Sequence, residues 1–204
     1  MTISIVDYGM GNIGSVTRAI SACGYKATIA STAEDILQAD KIILPGVGSY
    51  AKAMQELRTR GLEEAILESA IDDEIPVLGI CLGMQILSTL GHEHGETKGL
   101  GLIPGEVIRL RPKDVMARVP HVGWNSVEVL TTSPLFDGIP SGSDFYFVHS
   151  YHYQVESLSN VLAKTEHGGE FTCAVQNDNV FGMQFHPEKS QKLGLKLIQN
   201  FLEL

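Results

Sequence analysis

The chain has 204 residues, 44 % of them apolar and 19 % charged, with a formal net charge of −9. That length can bury a substantial core, and the composition is that of an ordinary globular protein. The acidic balance argues against a general nucleic-acid or membrane-surface binder, and no run approaches the roughly 18 apolar residues of a membrane span. The first residues lack the layout of a signal peptide. Cys23, Cys81 and Cys173 form an odd set without metal-ligand spacing, which favours reduced thiols in a cytoplasm. No linker is polar enough to mark a boundary, so one domain over residues 1–204 is expected.

In chain order, Ile3 to Val6 reads as a short buried strand. Ile13, Val16, Ile20 and Cys23 recur at helical spacing, and Gly24 stops that helix. Lys26 to Ala30 is a second strand, after which Ser31 and Glu34 read as a capping box. Lys41 to Pro45 is a third strand, followed by the loop Gly46-Val47-Gly48. Helical patterns run from Tyr50 to Arg60 and from Leu62 to Asp72, with Gly61 between them. Pro76 to Ile80 is a fourth strand, and Leu82 to Leu90 reads as the helix after it. Strand and helix alternating at this rhythm predict a parallel sheet covered on both faces.

Beyond about residue 100 the pattern becomes strand-rich. Val107 to Leu110, Ser126 to Leu130, Phe145 to His149, Val161 to Thr165, Cys173 to Gln176 and Val180 to His186 read as strands. A final helix places Leu193, Leu197, Ile198 and Phe201 on one face. The expectation is an open, mainly parallel α/β sheet flanked by helices, with an antiparallel strand-rich second half packed against it.

Gly9-Met10-Gly11-Asn12-Ile13-Gly14 is a literal G-x-G-x-x-G between a strand and a helix. A dinucleotide site also wants an acidic residue at the end of the second strand, about 20 positions on. That strand ends at Ala30-Ser31, so the fingerprint is incomplete and no dinucleotide cofactor is expected. Asn12, at a helix start on the sheet's ligand-binding edge, is a candidate partner contact.

The stronger signal is Gly79-Ile80-Cys81-Leu82-Gly83, between a buried strand and a helix. It is the nucleophile-elbow pattern with sulfur in place of the serine oxygen. Flanking glycines are needed because a Cβ there would collide with the neighbouring strand and helix. A helix N-terminus favours thiolate, and the Leu82 N–H would be free to meet a developing oxyanion. Of seven histidines, only His186 ends a strongly strand-like run with a carboxylate two residues on. Period-two geometry would put His186 and Glu188 on one side, giving Cys81, His186 and Glu188 as a candidate triad. His92 and His94, two apart in a loop, make a poor chelate, so no metal is expected.

Gly79 to Gln85 together with His186-Pro187-Glu188 resembles the class I, triad-type glutamine amidotransferases. Further stretches are similar to the glutaminase subunits of imidazole glycerol phosphate synthases: Asp7 to Asn12, Leu44 to Gly48, Lys98 to Leu100, Pro120 to Asn125, Phe147 to Tyr151 and Phe185 to Ser190. The resemblance implies a flavodoxin-like fold and glutamine hydrolysis through a Cys81 thioester, with His186 as proton donor and then base. It implies oxyanion donors at Leu82 and in the Val47-Gly48 loop, and substrate contacts from Gln85, Glu93, Ser150 and Tyr151. Glu93 sits in Gly-His-Glu-His-Gly, which departs from the family's Ser-x-Glu-x-Gly form. No cofactor is implied. The implied partner is a separate (β/α)8-barrel cyclase subunit that receives ammonia, with Asn12, Trp124, Tyr146 and Lys189 as the candidate docking face. Two alternatives stay open: an amidotransferase subunit serving aminobenzoate or pyridoxal phosphate synthesis, and a non-catalytic flavodoxin-like binding module.

Overall fold

The computed structural model describes residues 1–204. Its first half alternates strand and helix: β1 (Ile3–Val6), α1 (Ile13–Ala22), β2 (Ala27–Ala30), α2 (Ala33–Leu37), β3 (Lys41–Gly46), α3 (Tyr50–Thr59), α4 (Leu62–Ile71), β4 (Val77–Cys81) and α5 (Leu82–Gln85). The second half is strand-rich: β5 (Leu90–Gly91), β6 (Thr97–Lys98), β7 (Gly105–Arg109), β8 (His121–Val129), β9 (Ser143–His149), β10 (Tyr151–Val155), β11 (Val161–Glu166), β12 (Glu170–Asn177), β13 (Val180–Met183) and then α6 (Gln191–Leu202).

The sheet runs β2-β1-β3-β4-β13-β12-β10-β7-β5-β6, with β11, β8 and β9 branching from β12. Its first five strands are parallel. The strand-rich half joins them edge to edge through β13, which lies parallel to β4 and antiparallel to β12. Register places Gly46 beside Cys81 on one flank of β4 and Met183 beside Ile80 on the other. Three neighbouring carboxyl ends, those of β3, β4 and β13, therefore open onto one region, where ligands bind in open α/β sheets.

Alternation along the buried strands feeds two cores. Ile5, Ile43 and Leu78 pack with α1 and α6 on one face; Val6, Ile42 and Leu44 pack with α2 to α5 on the other. A parallel sheet buried on both faces needs such continuous apolar strands.

Four local expectations are corrected. The capping box sits one residue later, between Thr32 and Asp35, because the Asp35 carboxylate gathers the Ser31 N–H, the Thr32 N–H and the Thr32 hydroxyl. The helix after Cys81 ends at Gln85 instead of Leu90, since the carbonyls of Ile86, Leu87 and Ser88 are taken by the N–H groups of Leu100, Ile103 and Gly101. Strand β10 went unforeseen because polar His152 and Gln154 flank its one buried residue, Tyr153. Strand β13 stops at Met183, three residues before His186.

Close approach of α5 to β3 dictates Gly83: a Cβ there would overlap the Leu44 carbonyl oxygen. A backbone atom cannot swing aside as a side-chain end can. Gly83→Ala is expected to destabilise the fold by about 3 kcal/mol, the upper part of the usual overpacking range. Urea unfolding measures this, and a variant as stable as the parent would contradict the close approach.

Candidate active site

Cys81 ends β4 and caps α5 with φ 55° and ψ −110°. A positive φ in a side-chain-bearing residue costs of order 1–3 kcal/mol and persists only where the surroundings enforce it. Here Gly79 and Gly83 enforce it: a Cβ on Gly79 would come within 2.7 Å of the Gly83 backbone. The bend lifts the sulfur to the sheet's carboxyl edge, where the Gln184 side-chain amide approaches it at 3.6 Å and the Val148 carbonyl at 3.9 Å.

His186 reaches the same place from the end of β13. It caps a 3-10 turn, Pro187–Lys189, and its Nδ1 lies 2.8 Å from Glu188 Oε1. The pairing expected from period two is thus present, but the turn produces it, not a strand. Two hydrogen bonds hold this segment to β9, His186 N–H to the Tyr146 carbonyl at 2.8 Å and Tyr146 N–H to Ser190 Oγ at 3.0 Å, and within the segment the Ser190 hydroxyl donates to the His186 carbonyl at 2.6 Å. The two side chains are only 3 % and 2 % exposed. His186 Nε2 has no hydrogen-bond partner and is buried at the cavity that Cys81 lines. Burial alone would push this imidazole's pKa down; the adjacent Cys81 sulfur and Glu188 outweigh it and push it up to about 9. A buried imidazolium between a sulfur and a carboxylate can give a proton to a leaving group and take one back.

Cys81 and His186 line one cavity of about 290 Å³, together with Val47, Gly48, Leu82, Gln85, Glu93, Ser150 and Tyr151. Nine residues singled out in the sequence as catalytic, oxyanion or substrate groups therefore meet there, and Glu188 stands behind His186. The volume suits a small molecule and is well short of a dinucleotide. Pro120, Val148 and His149 complete the lining and were not anticipated. Nor was Gln184, fully buried against the sulfur; its position two before His186 was the available signal. A larger hollow of about 740 Å³, between Thr89 and Glu156, contains neither cysteine nor histidine.

The family model described as "Glutamine amidotransferase class-I" matches residues 4–204. The chain belongs to the class I glutamine amidotransferase family. Among its relatives are proteins named imidazole glycerol phosphate synthase subunit HisH. That of Methanocaldococcus jannaschii is 49 % identical over 202 residues, covering 99 % of each chain. That of Moorella thermoacetica is 48 % identical over 99 % of this chain and 94 % of its own. Two solved structures share the amidotransferase fold. One, titled "Crystal structure of glutamine amidotransferase", has TM-score 0.75 at 20 % identity over 98 % of this chain and 97 % of its own. The other, "Structure of PurLQS from Thermotoga maritima", has TM-score 0.74 at 21 % identity over 99 % and 97 %.

At this cavity, Leu82 opens α5, so its N–H has no intrahelical acceptor. The Val47 N–H is engaged elsewhere: it donates to the Met10 carbonyl at 2.6 Å. Gly48 beside it has φ 110°, a conformation that side-chain-bearing residues rarely adopt, and a Cβ there would come within 2.7 Å of the Met10 methyl. The glycine-rich loop thus braces the Val47 loop, while Asn12 caps α1 with its own side chain, accepting from Ser15 N–H at 3.4 Å. Gln85 donates to the Tyr151 carbonyl at 3.1 Å and to Gln184 Oε1 at 2.9 Å. Glu93 Oε2 accepts the first N–H of α3, from Tyr50, at 2.7 Å, standing in for Ser49, which makes no side-chain cap. Glu93 is also part of the cavity wall. His92 turns instead to Glu106 on β7 at 2.8 Å, and His94 is exposed.

Outside the cavity, Trp124 on β8 faces its cross-strand neighbour Tyr146 on β9, ring to edge at 6.1 Å. Lys189 Nζ lies 5.7 Å over the Tyr146 ring. Trp124 is 49 % exposed, and Asn12 and Lys189 are exposed. Three of the four docking candidates thus form one cluster directly outside the triad segment. No helix is long and apolar enough to cross a membrane.

The raised pKa of His186 has a signed consequence. Its folded value, about 9, exceeds the unfolded 6.5, so its stabilisation is complete below pH 6.5 and is lost as pH rises through about 9. Glu188→Gln removes one source of the rise. The His186 midpoint, followed by imidazole NMR, is expected to fall, and the stability lost between pH 6.5 and 9 to shrink. An unmoved midpoint would refute the assigned role of Glu188.

Proposed function

We propose that the chain is the glutaminase subunit of an imidazole glycerol phosphate synthase, built as one amidotransferase domain over residues 1–204. The observation that carries this is the convergence of Cys81, the buried His186–Glu188 pair and a glutamine-sized cavity, in a chain nearly half identical to subunits of that name over their full length. Cys81 thiolate attacks the amide carbon of glutamine. The developing oxyanion meets the Leu82 N–H, and His186 Nε2 delivers its proton to the departing ammonia. The resulting thioester is cleaved by water that His186 deprotonates, releasing glutamate. Gln85, Glu93 and the Ser150-Tyr151 backbone hold the amino acid; the negative Glu93 pairs with its ammonium.

Ammonia is useful only if it reaches an acceptor before bulk water protonates it. The acceptor is a separate (β/α)8-barrel cyclase, which makes imidazole glycerol phosphate and an aminoimidazole carboxamide ribotide in histidine biosynthesis. It docks on Trp124, Tyr146, Lys189 and Asn12. The Val47 N–H, turned toward Met10, becomes the second oxyanion donor when the partner frees the loop. The isolated chain is accordingly a poor glutaminase, and the site resides in the cytoplasm.

Glutamate release measured with and without the cyclase and its nucleotide tests this reading. The expected result is slow hydrolysis by the chain alone, a large rise on assembly, and a loss of about a thousandfold or more in Cys81→Ala. Equal activity alone and in complex, or labelling by a glutamine-analogue electrophile at a residue other than Cys81, would overturn it. Trp124→Ala is expected to weaken assembly by about 2 kcal/mol, as interface anchors do. Growth of a histidine auxotroph carrying this gene separates the reading from a subunit of another pathway.

A further inference from the structure

Three histidines outside the triad, His121, His149 and His167, gather behind the cavity. His121 starts β8 and His149 ends β9, opposite each other in register. His121 is sandwiched between the Phe147 ring, 4.8 Å away, and the His167 ring, 4.1 Å away. Both His121 and His149 are buried, at 3 % and 6 % exposure, yet only His149 touches the cavity.

Their hydrogen bonds permit one proton arrangement. The Tyr151 carbonyl, 2.8 Å from His149 Nδ1, can only accept, so Nδ1 carries the proton. Burial pushes His149 down to about 3, so it is neutral and its Nε2 is an acceptor. The 3.0 Å contact from His121 Nδ1 to that nitrogen is therefore a donation. Burial holds His121 at about 4, leaving its Nε2 to accept from the Asn125 amide at 3.2 Å. Asn125 is itself oriented, since its Oδ1 accepts the Ser126 N–H at 2.9 Å and its Nδ2 also donates to the Glu166 carbonyl at 2.6 Å. Every donor from Asn125 to Tyr151 points the same way. The Tyr151 carbonyl receives a second bond from Gln85, whose other donation reaches Gln184, the residue against the Cys81 sulfur.

We propose that His121 is a positioning residue for the glutamine pocket: by fixing the tautomer of His149 it clamps the Tyr151 carbonyl, and with it the Ser150-Tyr151 wall. The inference deepens the glutaminase reading and rests on it for the identity of the ligand. The clamp has a directional logic. Were His149 free to exchange tautomers, Nδ1 would lose its proton and oppose a lone pair to the carbonyl, and the wall would lose one of its two side-chain anchors. The wall belongs to substrate binding and lies apart from the proton-transfer machinery, so the expected effect is on KM.

Two variants and two readouts test this in the full chain and its complex. His121→Phe keeps an aromatic ring for the stack and removes both nitrogens; His121→Asn keeps an amide donor near the Nδ1 position. Histidine ¹⁵N–¹H spectra of the chain should show His149 as the Nδ1–H tautomer in the parent and in His121→Asn, and a mixture in His121→Phe. In the complex, His121→Phe should raise KM for glutamine about fivefold, the worth of one neutral hydrogen bond, with kcat within about twofold. His121→Asn should recover most of that rise. A His149 that carries its proton on Nε2 in the parent, or whose tautomer ignores His121→Phe, overturns the proposal, as does an Asn variant as impaired as the Phe variant. Failure of the glutaminase reading looks different: the parent complex would turn over no glutamine, and the His149 spectra would still decide the clamp.

Discussion

Everything at this site depends on one close approach, that of the Gly83 backbone to the Leu44 carbonyl. With no side chain at Gly83, α5 can begin against the end of β3, and the chain must turn at Cys81 through a backbone conformation that side chains disfavour. The energy stored there is small beside the burial around it: Leu44, Leu82 and Met84 are all essentially shut off from solvent. Packing of order 1.5–3 kcal/mol for each such side chain readily holds a strained residue of 1–3 kcal/mol in place. The sulfur is consequently presented by rigid core, and its position does not depend on a mobile loop.

The same economy explains where its partners come from. Because β3, β4 and β13 are adjacent and parallel, the loops leaving their carboxyl ends converge without long excursions. One supplies Val47 and Gly48, the next Cys81, and the third His186. A histidine more than one hundred residues downstream thus reaches the sulfur because β13 is inserted beside β4. The triad segment is also tied by backbone to Tyr146, whose ring faces Trp124 on the proposed docking side. A partner that moved this ring would press on the strand that anchors His186.

The elbow was legible in the sequence because its demands are local: glycine, cysteine and glycine at fixed spacing between an apolar run and a helix leave few other readings. The first-half elements were legible for a similar reason, since strongly periodic segments such as Tyr50–Thr59 and Leu62–Ile71 need no distant partner to declare themselves. What escaped was set by tertiary pairing. The end of α5 is decided by residues 99–103, which claim the carbonyls that follow it, and β10 is a strand only because β7 and β12 flank it. Gln184 and His149 escaped in the same way. Neither stands in a pattern that implies chemistry, and each acquires its position from strands that meet only in the folded sheet.

Most informative is the contrast between two imidazoles on one cavity wall. His186 is pushed up to about 9 and His149 down to about 3, although both are buried. Desolvation acts against the charged form in both. The difference lies in what surrounds them. His186 meets a sulfur and a carboxylate that both favour its charged form, whereas His149 meets other imidazoles, which oppose a second positive charge, and a carbonyl whose single hydrogen bond does not repay the loss of water. For the glutamine site proposed here, whose ligand bears an ammonium group, this division is physically apt. One imidazole holds the mobile proton next to the sulfur. The other stays uncharged, so it adds no repulsion toward the ammonium and cannot compete for that proton. Its one fixed N–H is left free to act as structure.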